Sequence, residues 1–273
     1  MKAVTMKLFT RVGFSICLIF FCATAVFAQG FSSSSSAATE VAHFKPEQIV
    51  KFAKKVERTL GATGARVAII ARMGRPASEL PEGMHFTHVA LAVYSEITAA
   101  NGEKMRGYAI HNLYQQDGQP DVSDLVQDYP VDFFAGVATL ESGLIIPSPE
   151  LQARLLNVIS SPTYKQLHQR DYSVIANPYS LGRQNCTEFV LDVVNAAIYQ
   201  TSDISVIKVN TKAYFVAQPV KVSPFKLMLG SMFSAEVSTA DHLGQPVTAT
   251  FERIADYLQK YDQGSMVKTI YPD

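Results

Sequence analysis

"GRQNCTEFVLDVVNAAIY", residues 182–199, decides how this chain is read. Asn185 followed three positions later by Glu188 is a capping-box pattern. Behind it, Phe189, Val190, Val193, Val194 and Ala197 recur at helical spacing, with Thr187, Glu188, Asp192 and Asn195 on the other side. The pattern predicts a helix starting at Cys186. Positions 186, 189, 190 and 193 share a face, because helical neighbours lie three and four residues apart. Cys186 therefore points toward a core from the amino-terminal end of its helix. Unpaired N–H groups and the macrodipole favour a thiolate there, and the Glu188 carboxylate opposes one. Free cysteine is also among the most buried residue types. The stretch alone leaves two readings open: a nucleophile, or a small apolar residue that carries sulfur.

The other two cysteines, Cys17 and Cys22, lie in an apolar run from Val12 to Phe27 that follows Lys2, Lys7 and Arg11 and ends in "AVFAQG". This is the build of a secretory signal peptide, residues 1–28, with cleavage expected after Ala28. The run is short for a membrane span, which needs roughly 20 residues, and neither cysteine sits in a lipoprotein box. The expected location is periplasmic or secreted, with no stable membrane anchor after cleavage. Losing three positive charges takes the 24 basic side chains to 21 against 24 acidic ones, a formal charge of −3. So mild a balance gives no electrostatic case for nucleic acid. "FSSSSSAATE" then predicts a flexible linker over 29–44, and 45–273 fits one domain. With one thiol left, stability must come from packing rather than disulfides.

The coarse pattern is α+β: helices flanking a mainly antiparallel sheet. "KPEQIVKFAKKVERTLG" reads as a helix with Pro46 in its first turn. "ARVAIIAR", "FTHVALAVY" and "GYAIHNLY" read as strands, the last two joined at Asn101-Gly102, a hairpin signal. "QQDGQPDVSD" reads as a loop, and "DFFAGVATL" as an apolar run. "SPELQARLLNVI" reads as a helix capped by Ser148, and "ATFERIADYLQKY" as a late amphipathic helix. Residues 201–247 are ambiguous.

A catalytic thiol needs a base within hydrogen-bond reach and a group to orient that base. Alternation puts His88, Ala90, Ala92 and Tyr94 on one strand face and Val89, Leu91 and Val93 on the other. The two alanines leave room for a helix end to approach His88. His111 sits on the neighbouring strand of the hairpin. This suggests a Cys–His–His relay: Cys186 attacks, His88 shuttles the proton, and His111 holds the His88 ring. Asn112 is an alternative orienting group that this register turns to the opposite face. Taken singly, each histidine reads as a hydrogen-bonded strand residue. His85 and His88, three apart on a strand, point to opposite faces, and no cysteine pair or carboxylate cluster completes a metal site, so zinc is not expected. No phosphate loop or nucleophile elbow is present, and no cofactor is expected.

"THVALAVY", the strand carrying His111, and "NCTEFV" opening a helix together resemble the circularly permuted papain-like hydrolases, the NlpC-type and lecithin:retinol acyltransferase-like proteins. The likeness spans roughly residues 64–200, with the histidine preceding the cysteine as in that group. Over a longer span, "HNLYQ", "DFFAGV", "LIIPSPELQARLL" and "NPYSLGRQNCTEFVLD" resemble an uncharacterised family of exported bacterial proteins. The first resemblance implies a permuted papain-like domain, Cys186 as nucleophile, His88 as base and His111 as polar partner. It also implies that the Cys186 N–H, with Gln184 or Asn185, stabilises an oxyanion. The expected activity is a cysteine hydrolase or acyltransferase acting through a thioester on an envelope amide or ester, with peptidoglycan peptides favoured over lipid esters. The alternative is a non-catalytic papain-like scaffold that binds an envelope peptide or lipid. A redox role for the lone thiol is weaker, because no resolving cysteine remains.

Overall fold

The computed structural model describes residues 43–99, 101–220 and 238–273. The expected signal peptide and nearly all of the serine-rich linker lie outside the described residues. The first helix, α1 (Pro46–Ala62), buries Ile49, Phe52, Ala53, Val56 and Leu60, the residues its 3.6-residue period selects. Strand β1 (Val67–Met73) is buried at every position, as a central strand covered on both faces must be. It feeds a meander of β2 (His88–Thr98), β3 (Lys104–Gln116) and β4 (Gln119–Asp128). Gly102 makes the first hairpin turn with a positive φ of 83°.

The stretch expected as a loop, "QQDGQPDVSD", is instead a second hairpin, turning at Asp117-Gly118. Its return strand β4 lies at the sheet edge. An edge strand is commonly polar, which protects it against pairing with other chains, so no apolar run marks it. After the short helix α2 (Pro130–Phe133), strand β5 (Thr139–Ile146) crosses back to the far side of β1, and β8 (Met266–Ile270) pairs with β5. The six-stranded sheet runs β4-β3-β2-β1-β5-β8, with every neighbour antiparallel.

The remaining helices are α3 (Pro149–Ile159), α4 (Pro162–Gln166), α5 (Cys186–Tyr199), α6 (Ile204–Tyr214) and α7 (Phe251–Tyr261). Two two-residue strands, β6 (Gln218–Pro219) and β7 (Val247–Thr248), pair with each other. Among the described residues, seven α-helices and the sheet make the α+β architecture expected from the pattern. Part of the ambiguous stretch is α6, which begins at an Asp203 cap accepting from Ser205 N–H and Val206 N–H.

The sheet separates two cores. On one face, Ala68, Ile70, Ala90, Ala92, Ile110 and Leu144 pack with Phe52 and Val56 of α1 and with Phe133 and Phe134. On the other, Val67, Ile69, Val89, Leu91, Leu113 and Ile145 pack with Leu155 of α3, Phe189 and Val193 of α5, and Phe251 and Ile254 of α7. Each large side chain so buried contributes about 1.5–3 kcal/mol.

Gly143 of β5 lies against Phe251, the first residue of α7. A methyl group there would lie 2.6 Å from the Phe251 ring and 2.7 Å from the Phe86 ring, and these two rings already meet edge to face at 4.9 Å. Gly143→Ala is therefore expected to cost about 1–3 kcal/mol by overpacking, read as a lower urea midpoint. An unchanged midpoint would show that the two rings step aside freely.

Candidate functional site

Helix α5 begins where the capping pattern places it. The Asn185 side chain accepts a hydrogen bond from Glu188 N–H at 2.9 Å. Cys186 faces the α5-side core and is 4% exposed. Its sulfur meets Thr187 Oγ1 at 3.8 Å and also accepts from the Val89 and Thr187 backbone. Burial pushes the thiol pKa up. Donors from Val89 and Thr187 and the charge of Arg72 pull it down by less. Desolvation outweighs the helix terminus, and the thiol is held in its neutral form.

His88 lies on the other face of the sheet. Its fully buried ring stacks on Tyr114, with centroids 4.8 Å apart and planes at 14°, and tilts against Phe133 at 5.7 Å. Its Nε2 meets Asn112 Oδ1 at 3.0 Å. The Asn112 amide donates to Asp128 Oδ1 at 2.8 Å and to Ile110 O at 3.2 Å, which fixes its oxygen toward the histidine. His88 Nε2 therefore carries the proton and Nδ1 is a bare lone pair. That lone pair is buried without a partner. Burial, and then the charge of Arg72, hold the His88 pKa well below the ordinary value, with the Asn112 bond opposing them. Tyr114 OH donates to Asp128 Oδ2 at 2.9 Å. Burial raises Asp128 to about 6 against the pull of Tyr114 and Arg72. Arg72, 1% exposed, donates to Phe133 O and lies 4.9 Å and 5.6 Å from the Phe133 and Tyr114 ring centres.

This arrangement does not assemble the expected Cys–His–His relay. β2 and β3 pair with Leu91 opposite His111, so His111 shares the face of Leu91 and points away from His88. It meets Tyr164 edge to face at 5.9 Å, and burial lowers its pKa. Asn112, expected on the opposite face, is the residue that orients His88. The error is one of parity: whether two strand residues share a face depends on the pairing register. The room expected beside Ala90 and Ala92 is filled by α1, and α5 covers the other side. Cys186 packs with the α5-side core and its sulfur accepts from Val89 N–H, next to His88 along β2, but no hydrogen bond joins sulfur and imidazole among the described residues. The β2–β3 pairing stops at Leu91 and His111. Beyond it, side chains such as the His88–Asn112 pair bridge the two strands in place of backbone bonds.

The two side-chain oxyanion candidates are engaged within the fold. Gln184 donates to Leu167 O and Asp192 Oδ2 and accepts from Gln169 N–H. The Asn185 amide donates to Val174 O and Thr248 Oγ1. The polar side of α5 is not solvated as its pattern suggests. Lys208 of α6 inserts its ammonium 2.6 Å from Glu188 Oε1 and 2.8 Å from Asp192 Oδ2, and all three side chains are buried. Burial opposes the Lys208 charge, but the two carboxylates overcome it and raise its pKa. Burial raises Asp192, and it raises Glu188 to about 8, against the pull of Lys208 on both. One ammonium balances one carboxylate, and Glu188 keeps its proton at neutral pH.

The folded pKa of Glu188 lies above its ordinary 4.5. Its contribution to stability is therefore fully present below about 4.5 and is lost as pH rises through about 8. Thermal melts across this range should show wild-type stability falling relative to Glu188→Gln as pH rises. Parallel profiles would exclude a proton on Glu188.

Among the described residues, no group of three or more His, Cys, Asp and Glu side chains is placed to hold a metal ion. None of their helices is long and apolar enough to cross a membrane. Residues 59–258, from the end of α1 through most of α7, match the model of a family described as "Uncharacterized protein conserved in bacteria (DUF2145)". The chain belongs to this family. The match takes in His88, Asn112 and Cys186 together with the Lys208 cluster. The expected likeness to an uncharacterised bacterial family thus holds. No curated protein and no solved structure matches the chain.

Proposed function

We propose that this member of the DUF2145 family is an exported scaffold of permuted papain-like build that binds an envelope peptide or lipid without thiol chemistry. The observation that carries this reading is the placement of Cys186. Its sulfur is buried, its thiol is held neutral, and no hydrogen bond joins it to the imidazole that would activate it. Gln184 and Asn185, which an active papain-like site would spend on an oxyanion, are committed to the fold. Support for export comes from the residue pattern of positions 1–28 alone. Support for the papain-like build comes from "THVALAVY" and the helix-opening "NCTEFV".

One observation favours the second reading, a thiol hydrolase or acyltransferase using Cys186, His88 and Asn112. The His88 ring is held through Nε2 with Nδ1 unprotonated and unpartnered, the state a general base requires. That reading demands a hydrogen bond between the sulfur and Nδ1, and an activated thiol with a depressed pKa.

Alkylation of the native protein by iodoacetamide from pH 6 to 10 separates the two. A non-catalytic core thiol is expected to react at least about 10-fold more slowly than a free thiol, with an apparent pKa above roughly 8.5. Fast labelling with a midpoint below about 7 would replace the scaffold with the hydrolase.

A further inference from the structure

A surface cleft of about 340 Å³ lies between the segment before β2 and the first turns of α7, lined by Gly83, His85, Gln218, Glu252, Arg253 and Asp256. It contains neither Cys186 nor His88. Its charges are unevenly matched. Arg253 is engaged within the protein: its Nε donates to Gln218 Oε1 at 3.0 Å, and its Nη1 lies 3.7 Å from Asp256 Oδ2. Gln218 is in turn tied to Glu82 O at 3.2 Å. Behind the cleft, His85 Nε2 lies 2.7 Å from the buried carboxylate of Glu141. Among the described residues, Glu252 accepts one bond, from His85 N–H to Oε1 at 3.2 Å, and its buried Oε2 has no partner. Three carboxylates thus face one guanidinium and one imidazole. An unpartnered buried carboxylate oxygen is costly, and a donor arriving through the cleft meets it after a small turn about the soft terminal torsion of Glu252.

We infer that this cleft binds a primary ammonium group presented by a peptide, either a free α-amino end or a lysine-type side chain. The ammonium donates to Glu252 and Asp256. Gly83, with a φ of 83°, lies against the Gln218 amide, which a Cβ there would strike, so this wall of the cleft is backbone and amide. An ammonium suits the site better than a guanidinium, because the cleft is shallow and one orphan acceptor calls for a compact donor. The inference rests on the peptide branch of the binding reading and gives that branch a chemical identity.

The test uses the full chain after export and three probes: triglycine amide, its N-acetylated form, and N-acetyl-Gly-Lys-Gly amide. Binding is followed by NMR shifts of the His85 ring. Triglycine amide, the lysine probe or both should bind, and N-acetyltriglycine amide should not. Whichever probe binds names the source of the ammonium. Glu252→Gln keeps the acceptor for His85 N–H, and should weaken binding by about 10-fold or more with the melting temperature unchanged. Glu47→Gln, a remote carboxylate on α1, should have no effect. Equal binding of the acetylated and free triglycine probes overturns the ammonium assignment and leaves peptide binding standing. No binding by any probe, or full binding by Glu252→Gln, overturns the inference outright, while the scaffold reading is still decided by the Cys186 alkylation profile.

Discussion

Lys208→Met is expected to remove about 3–5 kcal/mol of folding stability, one of the two largest losses any single substitution here should produce. Among the described residues, the ammonium is the one cation within hydrogen-bond distance of Glu188 and Asp192, which are both fully buried. Removing one partner of a buried ion pair strands the other in a medium of low polarity, at about this cost. Methionine keeps the length and apolar stem of lysine, so the loss reports charge rather than a cavity. Urea unfolding of wild type and variant at neutral pH measures it directly. Adding Asp192→Asn and Glu188→Gln to Lys208→Met should recover a large part of the loss, because a cluster with no charge has none to strand. A triple variant as unstable as the single one would show that lysine packing, not ion pairing, holds α6 against α5.

Arg72→Met should cost on the order of 3 kcal/mol, and the cost should grow with pH. The guanidinium satisfies Phe133 O and lies close to two aromatic rings. It also stabilises the ionised form of Asp128, which burial already raises to about 6. Without Arg72 that carboxyl is pushed higher, so the variant must either keep a proton or bury an uncompensated charge. The folded pKa lies above the ordinary one in both proteins, and the gap is wider in the variant. Its deficit should therefore be smaller at pH 5 than at pH 8. Urea midpoints at these two values decide the matter. Equal deficits would assign the effect to lost packing alone.

What the sequence made legible was local. The start of α5, its Asn185 cap, the Ser148 cap of α3 and the turn at Gly102 each depend on residues within a few positions of one another, and the structure has each in place. The face-to-face arrangement of His88, Asn112 and His111 depends on which residue of β3 meets which residue of β2. That register is fixed by hairpin length and by packing on both sides of the sheet, so alternation along one strand could not reveal it. β4 escaped because an edge strand needs no apolar run. The Lys208 cluster escaped because its members lie on two helices. Its one trace in the sequence is a lysine set among Ile204, Val206, Ile207 and Val209 and followed by Thr211, a charge in an apolar helical run that needs a buried partner.

The outermost strand on the β5 side is supplied by residues 266–270, about 120 positions after the partner it completes. Through that interval of synthesis, one side of β5 has no partner from its own chain. A nascent molecule passes through a stage in which Leu144, Ile145 and Ile146 offer an open backbone to any neighbour. Late arrival of the closing strand makes this edge of the sheet slow to close.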